Sequence, residues 1–196
     1  MLQANVTIAH LRYGREKCLS CKNPIQCLPK KEYFTELITK YYHLLSGDHV
    51  NSSFNPFENF RWKDIDHLAY KEDGSLFKGV TRQVLFDGSD DIKCQLRYFE
   101  VAPGGHTTLE CHDHVHVVMV IRGEGDVLLG DHLQHVKQFD VVEIGSRTWH
   151  QFQATGKQPL GFLCLVSSNR DRPHRPDPDE KQQLLDNPSI SDFLRF

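Results

Sequence analysis

The sequence predicts a mainly β protein, a single antiparallel sandwich or barrel with an N-terminal helical extension. Three observations predict it. Between Val80 and Ser168 the apolar residues fall into many short runs with strand composition. Glycines punctuate those runs, at Gly104-Gly105, Gly123, Gly125, Gly130-Asp131, Gly145 and Gly156. No long helical pattern interrupts them, and short strands at regular spacing without intervening helices belong to antiparallel sandwiches and barrels. At 196 residues the chain holds one ordinary domain plus appendages.

The elements follow in order. Residues 1–79 form the extension. Its first 29 residues are polar and hold three of the six cysteines. From Lys31 to Ser46, Phe34, Leu37, Ile38, Tyr41, Leu44 and Leu45 recur at helical spacing, so an amphipathic helix is expected there, capped by Gly47 and packed outside the barrel. Residues 51–79 are mixed, with turn signals at Asn55-Pro56 and Asp73-Gly74. The barrel is expected over 80–168, with strands at about 80–86, 93–101, 106–112, 115–121, 125–129, 133–137, 139–144, 148–154 and 160–167. The tail, 169–196, opens with the proline-rich, charged "RDRPHRPDPDE" and carries a short helix around 179–186.

Composition removes several function classes. Hydrophobic residues at 39% and charged ones at 25% suit a globular chain rather than a disordered one. The net charge is -3 and no Lys/Arg run is present, so nucleic acid is a poor partner. No apolar stretch approaches the ~20 residues of a membrane helix. The first residues, "MLQANVTIAHLRYGREK", lack the order of a signal peptide, so a cytoplasmic location is expected, with the cysteines as thiols or metal ligands.

The densest chemistry lies in "LECHDHVHVVMVIRGEG", residues 109–125, where Glu110, Cys111, His112, Asp113, His114 and His116 fall within seven positions. On one strand Glu110, His112, His114 and His116 would share a face. A straight strand rises about 3.3 Å per residue, placing Glu110 and His116 roughly 20 Å apart, beyond the reach of one ion. Either two neighbours bind metal alone, or the chain reverses at Asp113-His114-Val115 and Glu110, His112 and His116 converge. Imidazole and carboxylate suit Zn, Fe, Ni, Cu or Mn, so a divalent transition metal is expected without its identity.

The stretch from Gly104 to His150 resembles the cupin barrel. The first cupin motif is a glycine, an H-x-H pair, three or four residues, a Glu, then six residues and a glycine. Here Gly105 opens it, Glu110-x-His112 stands for the H-x-H pair, His116 takes the Glu position, and Gly123 follows at the right distance. The second motif, G-x5-P-x-G-x2-H-x3-N, is matched by His150, with Gly145, Arg147 and Ala154 in place of its proline, second glycine and asparagine. The resemblance implies a single antiparallel jelly-roll, or double-stranded β-helix, barrel over residues 80–167, dimerising through its sheets into a homodimer. It also implies Glu110, His112, His116 and His150 as metal ligands. His112-x-His114 is itself a literal H-x-H pair; otherwise His114 lies in the turn at the mouth of the site and moves protons.

Around that site Phe152 follows His150 inward, and Phe162, Cys164 and Val166 share one face of the last strand. In "CQLRYFEV" either Gln95, Arg97 and Phe99 or Leu96 and Tyr98 point inward; Arg97 inside would anchor a carboxylate. Met119, Phe152 and Phe162 are expected as apolar walls, and Cys94, Cys111 and Cys164 as small buried hydrophobes, none paired with a base. In the extension, Cys18-x2-Cys21-x5-Cys27 can hold a structural zinc, with His10 or His43 completing the set, or form a redox pair or plain thiols. The expected function is a mononuclear metal enzyme, dioxygenase-like, acting on a small organic molecule, with Glu110 and His114 as catalytic groups. A metal isomerase and a non-catalytic, ligand-binding regulatory barrel are the alternatives.

Overall fold

The computed structural model describes residues 52–69 and 76–196, which fall in the unit from Phe54 to Phe196 apart from Ser52 and Ser53. The expected helix over 31–46 and the Cys18, Cys21 and Cys27 site lie outside the described residues. Within them run eleven strands and one helix. The strands are β1 (Phe57–Glu58), β2 (Arg61–Trp62), β3 (Leu68–Ala69), β4 (Lys78–Phe86), β5 (Cys94–His106), β6 (His116–Arg122), β7 (Glu124–Leu129), β8 (His132–Lys137), β9 (Val141–Ile144), β10 (His150–Gln153) and β11 (Leu160–Ser167). The helix, α1, spans Pro178–Leu185.

Nine of these strands form one antiparallel sheet that curls into a half-barrel. Its order is β8-β7-β10-β5-β11-β6-β9, with β4 on β5 and β3 on β4. The backbone of β5 is the spine. It pairs with β11 from Val101↔Leu160 to Cys94↔Ser167, with β4 along its other edge, and with β10 at His106↔Gln153. The sequence signals placed a turn at Gly104-Gly105, but β5 runs straight through it. Gly104 takes φ +70° there, and a Cβ on Gly105 would stand 2.4 Å from the Lys78 carbonyl oxygen. The two glycines therefore bend the strand and let β4 approach, as glycines in sheets commonly do.

Strand alternation fills the interior. On β6, His116, Val118 and Val120 are buried while Val117 and Met119 face outward. Val118 and Val120 join Val80, Phe99, Val127, Ile144, Phe152 and Phe162 in the main apolar core. Met119 was expected in the cavity wall and is instead 40% exposed. It stands at odd spacing from His116, so the pleat that turns His116 in turns Met119 out.

A second apolar cluster explains the tail. Leu109 and Leu128 pack with Leu184, Ile190 and Leu194. Both faces of β7 are thus covered, Val127 by the barrel interior and Leu128 by the returning chain. The turn into α1 is set by Asp177, whose side chain accepts from the backbone N–H groups of Asp179 and Glu180 while Glu180 accepts from the Asp177 N–H. Pro178 follows at the start of the helix, a position where a proline leaves no hydrogen bond unmade. Fully buried Gln151 clasps the end of the chain, donating to the Arg195 carbonyl at 2.8 Å and accepting from its N–H at 3.0 Å. No described helix is long and apolar enough to cross a membrane.

Candidate metal centre

Three short pieces of backbone converge inside the barrel. His116 is the first residue of β6, His150 the first of β10, and His112 ends the segment before the bend at Asp113-His114. The chain does change direction between His112 and His116, the second of the two arrangements that reach left open. Glu110 pairs with His150 across an antiparallel bridge, their backbones exchanging hydrogen bonds of 3.2 and 3.0 Å. The bend is pinned from the second half of the barrel, because the Arg147 N–H donates to the His112 carbonyl at 2.7 Å and the Arg147 guanidinium meets Asp113 at 3.0 Å. Arg147 itself adopts φ +56°. That left-handed conformation is what the glycine of the second cupin motif supplies without strain, so the backbone geometry is retained although the residue type has changed.

The ligand-bearing nitrogens of His112, His116 and His150 all lie within 4.8 Å of one another, and all three residues are buried. Two of the rings have their tautomers fixed. A carbonyl only accepts, so His112 Nδ1 donates to the His114 carbonyl and His150 Nδ1 to the Thr148 carbonyl, each at 2.9 Å. Their Nε2 atoms are then left as lone pairs aimed at the cluster, the arrangement that outer hydrogen bonds create around metal-binding histidines. His112 Nε2 is buried with no hydrogen-bond partner among the described residues. A buried polar atom in that condition costs about 1–3 kcal/mol, which a bound cation would recover.

Electrostatics keep the three rings neutral. Burial pushes His112 below its ordinary value, and the His114 ring adds to the effect. For His150 burial lowers the value to about 4 against the opposing hydrogen bond to Thr148. His116 is driven furthest down, by burial and then by the imidazoles of His112 and His150. Neutral imidazoles are the form a metal needs. The residues present therefore fit a divalent transition metal, while nothing in the donor set selects one. Glu110 lines the same cavity next to His150 but stands outside the group of three close donors.

His114 sits at the edge of this cluster, as expected for the turn. Its ring stacks on His112 with centroids 3.8 Å apart, and its Nε2 lies 3.1 Å from Nε2 of His116. Its Nδ1 donates to the carboxylate of Asp171, which also accepts from the backbone N–H groups of Asp113 and His114. These bonds, the His114 side chain first, hold the Asp171 carboxyl far below the usual range. The sequence reading missed Asp171, which lies 57 residues from His114 in a stretch with no local signature of a site.

The cavity beyond the imidazoles holds about 90 Å³ and opens to solvent at its mouth. Phe99, Val118, Phe152 and Phe162 form its apolar wall, and Arg97, Thr108 and Arg170 its polar one. Arg97 and Phe99 are thus the inward set of β5. Cys164 is more than a small hydrophobe: its sulfur lies 3.5 Å from His116 Nδ1 and accepts a 3.2 Å hydrogen bond from Arg97. Burial holds the thiol above its ordinary value, in the protonated form.

A curled antiparallel barrel with three neutral imidazoles opening on an interior cavity defines a small metal-binding β-barrel. The chain belongs to the cupin family: residues 97–166 match the cupin domain. It is 43% identical over 152 residues to the 1-methylthio-D-xylulose 5-phosphate methylsulfurylase of Rhodospirillum rubrum, covering 76% of this chain and 97% of that one. Among solved structures, a cupin 2 conserved barrel domain protein of Rhodopseudomonas palustris matches with a TM-score of 0.70 and 42% identity, over 74% of this chain and all of that one. A cupin-2 domain of Rhodospirillum rubrum matches with a TM-score of 0.65 and 43% identity, over 71% of this chain and 95% of that one.

Proposed function

We propose that this chain is a metal-dependent enzyme acting on a small methylthio-substituted sugar phosphate, with the metal held by His112, His116 and His150 and completed by Glu110. The observation that carries the reading is the buried three-imidazole cluster at the end of an open-mouthed cavity with apolar and cationic walls. The 43% identity to the Rhodospirillum methylsulfurylase, across nearly the whole of that protein, supports the substrate class.

A bound divalent ion supplies Lewis acidity to a substrate oxygen in this site. The remaining work falls to the side chains. Phe99, Phe152 and Phe162 keep bulk water from the reacting carbon and strengthen every charge interaction inside. Asp171 keeps a proton on Nδ1 of His114, so Nε2 is the nitrogen that exchanges a proton with a bound molecule. That arrangement needs no oxygen, and the dioxygenase-like chemistry expected from the resemblance is distinguished from it by oxygen uptake.

The test is consumption of 1-methylthio-D-xylulose 5-phosphate by purified full-length protein with one equivalent of metal, followed by phosphorus NMR with a small thiol present as acceptor. Turnover without oxygen uptake, abolished in His116→Ala and His150→Ala, is the expected result. Oxygen consumption coupled to turnover, or binding without turnover, would replace the reading with a dioxygenase or with a regulatory barrel.

A further inference from the structure

We infer that Arg97 and Arg170 form a ready-made phosphate subsite in the wall of the same cavity, so that a substrate is held by its phosphate at one end and by the metal centre at the other. This rests on the sugar-phosphate reading above and gives it a location.

Arg97 is only 8% exposed and its side chain faces the cavity. Its Nε is buried with no hydrogen-bond partner among the described residues. One terminal nitrogen donates to Cys164 Sγ at 3.2 Å, a weak acceptor, and the guanidinium carbon lies 5.2 Å from the centre of the Phe99 ring. An arginine remains charged in any protein environment, so burying one without a carboxylate is costly. Arg170 lines the same cavity and is half-buried. Among the described residues its one hydrogen bond runs to the Ser167 carbonyl at 3.2 Å. Burial lowers its pKa, and the positive charges of Arg97 and Arg82 lower it further. Among the described residues neither Arg97 nor Arg170 is in an ion pair, and each raises the cost of keeping the other. The carboxylate beside Arg170, Asp171, is already committed to Asp113 and His114.

A dianion between the two guanidinium groups removes both penalties, and their planar forks match phosphate oxygens. The sulfur that accepts from Arg97 also touches His116, so the anion subsite and the imidazole cluster adjoin through Cys164. Thr108 adds a buried hydroxyl in the same wall with no partner among the described residues, a donor or acceptor for a substrate hydroxyl.

The experiment is calorimetric titration of the full-length, metal-free protein with inorganic phosphate, repeated with acetate. Phosphate is expected to bind one per chain, at least tenfold more tightly than acetate. Arg97→Met is expected to weaken it at least tenfold and Arg170→Met at least threefold, both variants still taking up one equivalent of metal. Should Arg97→Met fail to fold, the half-buried Arg170→Met carries the test alone. Unchanged phosphate affinity in the folded variants, acetate binding as tight as phosphate, or phosphate binding that requires metal would each overturn the subsite. The two readings fail separately. Arginine-dependent phosphate binding without turnover of the thiosugar phosphate sinks the substrate and keeps the subsite; undiminished turnover in Arg97→Met does the reverse.

Discussion

The two faces of β5 bury charge in opposite ways. On the outer face Glu100, whose side chain is 12% exposed, accepts from Tyr98 at 2.8 Å, from Arg122 at 2.6 Å and from Arg61 at 3.3 Å. Burial alone would raise the Glu100 pKa, but these three donors outweigh it and hold the carboxylate below its ordinary value. Arg122 also lies over the Phe60 ring at 4.4 Å. Every charge there is answered from within the chain. On the inner face, three residues away, Arg97 has a sulfur and an aromatic ring for company, and the imidazoles of His112 and His150 hold lone pairs towards the cluster they form with His116. The difference separates two uses of burial. A charge network that closes on itself belongs to the architecture. One that is left open is kept at a cost in stability that a bound ligand can offset.

The contrast can be broken by substitution. The largest effect is expected at the open face: His116→Ala and His150→Ala should each lower metal affinity by at least a hundredfold, read by elemental analysis after dialysis. His114→Ala should keep its metal and alter the activity or its pH profile, since its ring is held by Asp171 instead. Metal loss in His114→Ala with retention in His116→Ala would reverse those roles. On the closed face Glu100→Ala should cost about 1–3 kcal/mol, measured by denaturant unfolding, because it removes the acceptor of Tyr98, Arg122 and Arg61 while the two arginines keep access to water. It should leave metal and phosphate binding intact; loss of either would mean that the two faces are coupled.

A pH titration sharpens the same comparison. His150 is neutral when folded, with its value lowered to about 4 from 6.5. The unfolded chain therefore binds more protons than the folded one between those values. Stability of the metal-free protein should be full above pH 6.5 and fall steadily towards pH 4, by on the order of 3 kcal/mol from this residue. Bound metal should deepen the dependence, since protons compete with it for the same lone pairs. A flat profile across that interval would show that the imidazoles are not kept neutral. The smallest effect is a control that touches neither face: Asp177→Ala removes the cap of α1 and should cost about 1 kcal/mol without altering the site.

Much of this was legible in advance. The strand positions over 80–167 follow from alternation and turn residues, and the structure reproduces them within a few residues, apart from the turn expected at Gly104-Gly105 and the strand expected at 106–112, where only Glu110 and Cys111 make isolated bridges. The bend at Asp113-His114 was one of two arrangements that distance left open, since one ion cannot reach both ends of a straight strand. The inward set of β5 was not legible, because Arg97, Tyr98 and Phe99 are all buried and a strand covered on both faces carries no alternation. What covers the outer face is the β1–β2 hairpin, whose Phe60 and Trp62 pack on Tyr98.

By itself, then, the sequence determined the local facts: which segments extend, where they turn, and which residue types able to bind a metal crowd the bend. These depend on neighbours a few positions apart, whose geometry the backbone sets. Tertiary structure alone decided which of those groups are answered. Asp171 reaches His114 from beyond the last strand, Cys164 joins Arg97 to His116 across two strand pairings, and Arg170 comes in from the tail. The energy of a buried charge depends on what stands within a few ångströms of it in space, and separation along the chain says nothing about that.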